Sequence, residues 1–384
     1  MKRTIGIVTL AMALLAAACG SDGDSASPST SQTTAASSTT TPNTDAATTT
    51  VASSTSTADA TTTTAVTTTT AAPTTTAAPE PLDALRIYHP ETLAFAAPFA
   101  LLDPDGPLAA VANDVSTEVW ATPDVLRSVL VNGQSDVTAV PTYVGANLAN
   151  RGVDVQLAAV MVWGLLWVIG PDGTASSWDS LRGQTVMVPF QNDMPDLVFR
   201  YLAAANGLTP GDDFTIEYYA QPPEAVARLV SGNGTWAVLP EHVATIALAQ
   251  AGQNGHALSR VFDLQQEWAS ATGGSPRIPQ AGILVPTSLA ADRPDVIGAV
   301  LDELERAVAA INAAEPDTLA RLSEASGLPE PIIAQVIPRL NLDVVPAAEA
   351  RAELERFYTE LATLSPDIIG GKLPDPSFYL ADPR

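Results

Sequence analysis

The chain has 384 residues, a formal net charge of −24 and 46% hydrophobic residues. That acidity, with no cluster of Lys or Arg anywhere, argues against nucleic-acid binding and against electrostatic docking to anionic lipid. A single cysteine excludes a disulfide within the chain.

Residues 1–18 read as a signal peptide. Lys2 and Arg3 precede an apolar run, Ile5 to Ala18, that is too short to span a bilayer. The sole cysteine follows Leu15-Ala-Ala-Ala18, which resembles a bacterial lipoprotein signal. Cys19 is the expected lipid anchor, because it has no disulfide partner and sits where the anchor belongs. Residues 19–80 are almost wholly Thr, Ser, Ala and Pro, with no apolar periodicity. Such a stretch cannot bury a core and reads as a tether. Its Thr/Ser/Pro bias also suits O-glycosylation.

Residues 81–384 are enough for one two-lobed domain. Leu85 to Tyr88 reads as a first strand, His89-Pro-Glu-Thr92 as the loop after it, and Leu93 to Leu102 as a helix. Thr117 to Ala121 is a second strand, and Pro123 opens a helix with Val125, Leu126, Val129 and Leu130 on one face. Asp136 to Val140 is a third strand, ending in Pro141-Thr-Tyr143 and a short helix to Asn150. Val155 to Gly170 is apolar but broken by Trp163-Gly164, which suits strands crossing between lobes better than a membrane helix.

From Trp178 to Glu241 the pattern starts again. Thr185 to Pro189 is a strand, Phe190 to Asp196 a polar loop, and Leu197, Val198, Tyr201, Leu202 and Ala205 one helical face. Thr215 to Ala220 and Thr235 to Leu239 are further strands. Pro90, Glu118, Pro123, Gly133 and Pro141 each recur 99 residues downstream, as Pro189, Glu217, Pro222, Gly232 and Pro240. Five matches in one order at one offset imply two similar lobes. Gln280 to Pro286 reads as the strand returning to the first lobe, followed by helices from Pro294, around Leu319, around Ile332 and from Leu354. Lobe 1 then takes about 81–165 and 285–384, and lobe 2 about 170–280. The prolines of Gly370 to Tyr379 exclude a helix there.

Leu181-Arg-Gly, Val186-Met-Val-Pro-Phe, Asp193-Met-Pro-Asp-Leu, Asn206-Gly-Leu, Pro223-Glu-Ala-Val and Leu239-Pro-Glu resemble substrate-binding proteins of ABC importers. The resemblance is to the nitrate/sulfonate/taurine and thiamine-pyrimidine-precursor binding proteins. Gly232-Asn-Gly-Thr-Trp236 departs from that pattern, which carries an Asp before the strand. The resemblance implies an α/β, type II periplasmic-binding-protein fold: two α/β lobes joined by crossing strands, with C-terminal helices. It also implies a small-molecule solute, ABC permease and ATPase subunits as partners, and a monomer. An enzyme on the same fold, acting on a pyrimidine or menaquinone precursor, and a ligand sensor are the alternatives. The signal peptide and tether favour the receptor, outside the cytoplasm and attached to the membrane through Cys19 alone.

Parallel α/β sheets bind ligands outside the carboxyl ends of their strands. The candidate ligand contacts are therefore His89, Glu91, Thr92, Thr142 and Tyr143 from the first lobe. Phe190, Gln191, Asn192, Asp193, Met194, Pro195, Glu241 and His242 come from the second, with Trp163 at the crossover. No catalytic residue, metal or cofactor is expected. The three histidines are scattered, and no HExxH, Gly-rich phosphate loop or G-x-S-x-G is present. The loops carry Glu91, Asp193, Asp196 and Glu241 without Lys or Arg, which favours a neutral or cationic solute over a small oxyanion.

Overall fold

The computed structural model describes residues 79–384. The signal peptide, Cys19 and almost all of the expected tether lie outside the described residues. In chain order the elements of the first half are β1 (Leu85–His89), α1 (Leu93–Ala100), β2 (Val115–Val119), α2 (Pro123–Val131), β3 (Val137–Pro141), α3 (Thr142–Asn150), β4 (Val155–Val162), β5 (Leu166–Pro171), β6 (Thr185–Pro189) and α4 (Met194–Ala205). Then come β7 (Thr215–Tyr219), α5 (Pro222–Val230), β8 (Trp236–Pro240), α6 (Glu241–Gln253), β9 (Leu258–Asp263), α7 (Leu264–Thr272) and β10 (Ala281–Pro286). The chain ends with α8 (Thr287–Asp292), α9 (Pro294–Ala313), α10 (Pro316–Ser326), α11 (Glu330–Val336), β11 (Leu342–Pro346) and α12 (Arg351–Leu364).

Two sheets result, in the orders β11-β4-β10-β3-β1-β2 and β7-β6-β8-β5-β9. β1 pairs in parallel with β2 and β3, and β6 pairs in parallel with β7 and β8. The repeated stretch therefore builds the same β-α-β-α-β unit twice, and Pro123 and Pro222 both open the second helix of their unit. Proline there has its φ preset and no N–H to leave unpaired. Strands covered on both faces must be apolar throughout. Val137, Ala139 and Val140 of β3 and all of β8 are accordingly buried.

β4 and β5 carry the chain from the first sheet into the second, and β10 returns antiparallel to β3 and β4. The crossing point is Trp163-Gly164-Leu165. Gly164 has φ +107, and a Cβ there would lie 2.5 Å from the Gln265 side chain. Only glycine meets both demands. Beside it, Gln265 bonds both the N–H (2.9 Å) and the carbonyl (3.2 Å) of Leu166.

The helices after β10 follow the periodicity of the sequence, and Gly327 ends α10 with φ +69. They also tie the sheets together. α11 packs on α6, and α12 packs on α4. Phe357 of α12 meets Trp268 of α7 edge-on at 5.6 Å. No helix forms from Gly370 to Tyr379 apart from one 3₁₀ turn, Pro376–Phe378. Phe378 and Tyr379 are buried, and Tyr379 bridges to Leu157 of β4. No helix of the described residues is long and apolar enough to cross a membrane.

Candidate functional site

The strand ends of the two units face each other across a cleft of about 580 Å³. One wall is Pro141, Tyr143, Asn147 and Leu148, with Trp120 and Leu126 beside them; the other is Phe190 to Asp193, Leu197 and Arg200. Leu364 to Ile368, after α12, close one side. The cleft is bridged directly. The Tyr143 hydroxyl donates to Asp193 Oδ1, joining the start of α3 to the N-cap of α4. Tyr143 is 8% exposed. Burial, reinforced by the Asp193 carboxylate, raises its pKa well above the usual phenol value, so it stays a donor.

The loop after β6 is the most strained part of the site. Phe190 (φ 60) and Asn192 (φ 62) both lie in the left-handed region, which side chains other than glycine rarely adopt. Such strain persists where surroundings over-determine it. Here Asp196, fully buried, accepts from the Asn192 N–H at 2.8 Å, Arg200 Nε at 2.9 Å and the Tyr218 hydroxyl at 3.0 Å. Arg200 also donates to Asn192 Oδ1 at 3.2 Å. Asp193 in turn accepts from the Met194 N–H at 2.7 Å. A first-turn carboxylate is favoured there by the helix dipole. The outcome is a Gln191 side chain held at the cleft on a pinned backbone.

Of the residues chosen from the sequence, Tyr143, Phe190, Gln191, Asn192 and Asp193 line this cleft together. His89, Glu91 and His242 line a second cavity of about 510 Å³, with Val119 and with Leu322 and Ser326 of α10. His89 stacks on Phe99 at 5.3 Å. His242 keeps a partly exposed surface, yet its Nδ1 is inaccessible and has no partner among the described residues, and burial lowers its pKa to about 4. Thr92 precedes α1 without a side-chain cap bond and lines neither cavity.

The remaining choices line neither cavity and are buried in the fold. Thr142 is fully buried; its hydroxyl donates to the Pro279 carbonyl, and its own carbonyl accepts from Tyr358 at 3.1 Å. Trp163 is 2% exposed, donates to the Asp343 carbonyl at 2.8 Å and lies 3.6 Å from the Arg277 guanidinium carbon. Met194 and Pro195 are buried in the first turn of α4. Glu241 is fully buried and accepts from Thr245 (2.6 Å), Arg260 (2.6 Å) and Arg339 (2.9 Å). Its charge is spent on joining β9 and the segment after α11 to α6.

Sequence reasoning missed Trp120, Arg127, Arg200 and Asp367. Trp120 follows β2, and its indole N–H donates to the Ala139 carbonyl at 3.0 Å, so the ring lies across the end of β1. An aromatic directly after a strand was a usable signal. Arg127 and Arg200 reach the cleft from helix bodies, so the absence of Arg from the loops did not mean its absence from the site. Among the described residues, no group of three or more His, Cys, Asp or Glu is placed to hold a metal ion.

Solved structures share this architecture. An ABC transporter protein from Parabacteroides distasonis is 20% identical, with a TM-score of 0.64, over 78% of this chain and 99% of that one. The chain has the type II periplasmic-binding fold. The periplasmic aliphatic sulphonate binding protein of Escherichia coli is 18% identical, with a TM-score of 0.61, over 79% of this chain and 93% of its own. The periplasmic nitrate-binding protein of Synechocystis is 14% identical, with a TM-score of 0.55, over 75% and 84%. No protein-family model matches the chain, and no curated protein matches its sequence.

Proposed function

We propose that the protein is an extracytoplasmic solute receptor that captures a small organic solute between its lobes and delivers it to an ABC permease. The observation that carries this is the hydrogen bond from Tyr143 to Asp193, which spans a mixed apolar and polar cleft between the two repeated units. Ligand clefts have this size and make-up, and a solute contacting both walls favours the closed arrangement. The solved structures named for sulphonate and nitrate binding support the role through the fold. We assign lobe 1 to about 81–165 and 285–384 and lobe 2 to about 170–280, with Cys19 as the lipid anchor and the intervening stretch as the tether.

The receptor returns its solute unchanged. Mass spectrometry of the small molecules released from protein purified without refolding tests this. One solute, recovered intact after prolonged incubation with fresh protein, is expected. Steady conversion into a product refutes the receptor and points to an enzyme. Separately, Cys19→Ser should release the protein into the medium, and unchanged membrane retention would refute the anchor.

A further inference from the structure

The ionisable groups lining the cleft are Arg127, Tyr143, Asp193, Arg200 and Asp367. Their charges do not cancel evenly. Arg200 is spent on the fully buried Asp196, 2.9 Å away, and on Asn192. Arg127 is exposed at the mouth and lies 3.7 Å from Asp124 on its own helix. Asp367 is exposed at the rim and has no ion pair among the described residues. Inside the cleft that leaves Asp193, whose partners are two neutral donors, the Tyr143 hydroxyl and the Met194 N–H, both on Oδ1. Its second oxygen has no hydrogen-bond partner among the described residues.

A helix start is where a bound oxyanion would look for backbone N–H groups, and the cleft has two, the start of α3, which carries no side-chain cap, and the start of α4. At α4, the start beside Asp193, the protein's own carboxylates occupy the position. Asp193 takes the Met194 N–H, and Asp196 takes the Asn192 N–H. An incoming anion would meet negative charge there instead of free donors. Around Asp193 the walls are Trp120, Phe190, Leu126, Leu148, Leu197 and Ile368, an organic-lined space with two aromatic side chains. Aromatic faces attract cations, and more strongly where water is excluded. The strongly acidic chain adds a long-range field of the same sign.

We propose that the solute of this cleft is an organic cation, a protonated amine, amidine or basic heterocycle with an apolar body, whose N–H group bonds Asp193. This rests on the receptor reading above and adds the chemical class. Tyr143 holds Asp193 from the opposite lobe, so a donor arriving at the free oxygen joins both lobes through one carboxylate. Trp120 and Phe190 cover the apolar body.

The test is calorimetric titration of the Cys19→Ser chain with agmatine, phenethylamine and benzamidine as cations, and with ethanesulfonate and nitrate as oxyanions. The small molecule that the protein carries from its host is identified alongside. A carried solute that is basic, with at least one cation probe binding and neither oxyanion binding, is expected. Asp193→Asn keeps an N-cap residue at α4, so its melting should match the parent. It should weaken the cation roughly ten- to a hundredfold, as expected for losing a hydrogen bond to a charged group. A carried anion or uncharged solute, or an oxyanion that binds, overturns the charge class and leaves the receptor standing. Asp193→Asn that folds and binds the cation at parental affinity also overturns the class. No carried solute and no binding by any probe overturns both.

Discussion

Asp196→Asn is the substitution that most sharply tests how the cleft loop is held. The residue has no exposed surface, and its two oxygens do different jobs. Oδ1 accepts from Arg200 and Tyr218, whereas Oδ2 accepts from the Asn192 N–H. An amide can keep the first pair. Its NH2 group then faces the Asn192 N–H, donor against donor, and the loop loses its anchor. Arg200 also loses its countercharge, although at 26% exposure it can turn partly to solvent. Removing one partner of a buried ion pair costs about 3–5 kcal/mol, and that escape route places this case near 3 kcal/mol. For a domain of this size the loss corresponds to a melting shift of roughly 4–6 °C. With Phe190 and Asn192 free to leave the left-handed region, Gln191 and Asp193 should drift and solute binding should fall along with stability. Urea unfolding and calorimetry on the same variant measure both. A stability change below about 1 kcal/mol, with binding intact, would refute the reasoning, because Asp196 would not then be what over-determines the loop.

Tyr143→Ala should weaken solute binding by about 1–3 kcal/mol through the lost contact to Asp193, measured by titration calorimetry with melting as the control. Glu241→Gln should destabilise by about 3–5 kcal/mol in urea unfolding, since Arg260 and Arg339 both lose the carboxylate that neutralises them. The His242 imidazole titrates near 4 in the folded chain and near 6.5 in the unfolded one. Between those values the unfolded chain binds the extra proton, so stability is intact above pH 6.5 and declines as the pH falls toward 4. His242→Gln should flatten that part of a stability–pH curve recorded by thermal melts.

The repeated unit was legible because its markers are local. Pro123 and Pro222 suit the first turn of a helix, and Gly133 and Gly232 supply the positive φ of a turn, in each case without help from distant residues. The crossover was legible for the same reason, in Gly164. β9 and β11 were not read. Both are edge strands whose partners, β5 and β4, are distant in sequence, so nothing local announces the pairing. The lining of the candidate cleft was half legible. Strand-end position found Tyr143 and the Phe190 to Asp193 loop. It could not tell a cleft residue from one whose polar atoms are consumed inside the fold, as at Thr142, Trp163 and Glu241. Nor could it find Arg200, which reaches the cleft from within α4 because Asp196, four residues earlier, draws its guanidinium there.

The most direct test of the central claim is a crystal structure of the protein purified together with its solute. The solute should lie beside the Tyr143–Asp193 bond, touching residues of both repeated units, with its polar group on the free oxygen of Asp193 and its apolar part against Trp120 and Phe190. Electron density for the solute in the His89 and His242 cavity, or on the outer surface of a single unit, would contradict the account.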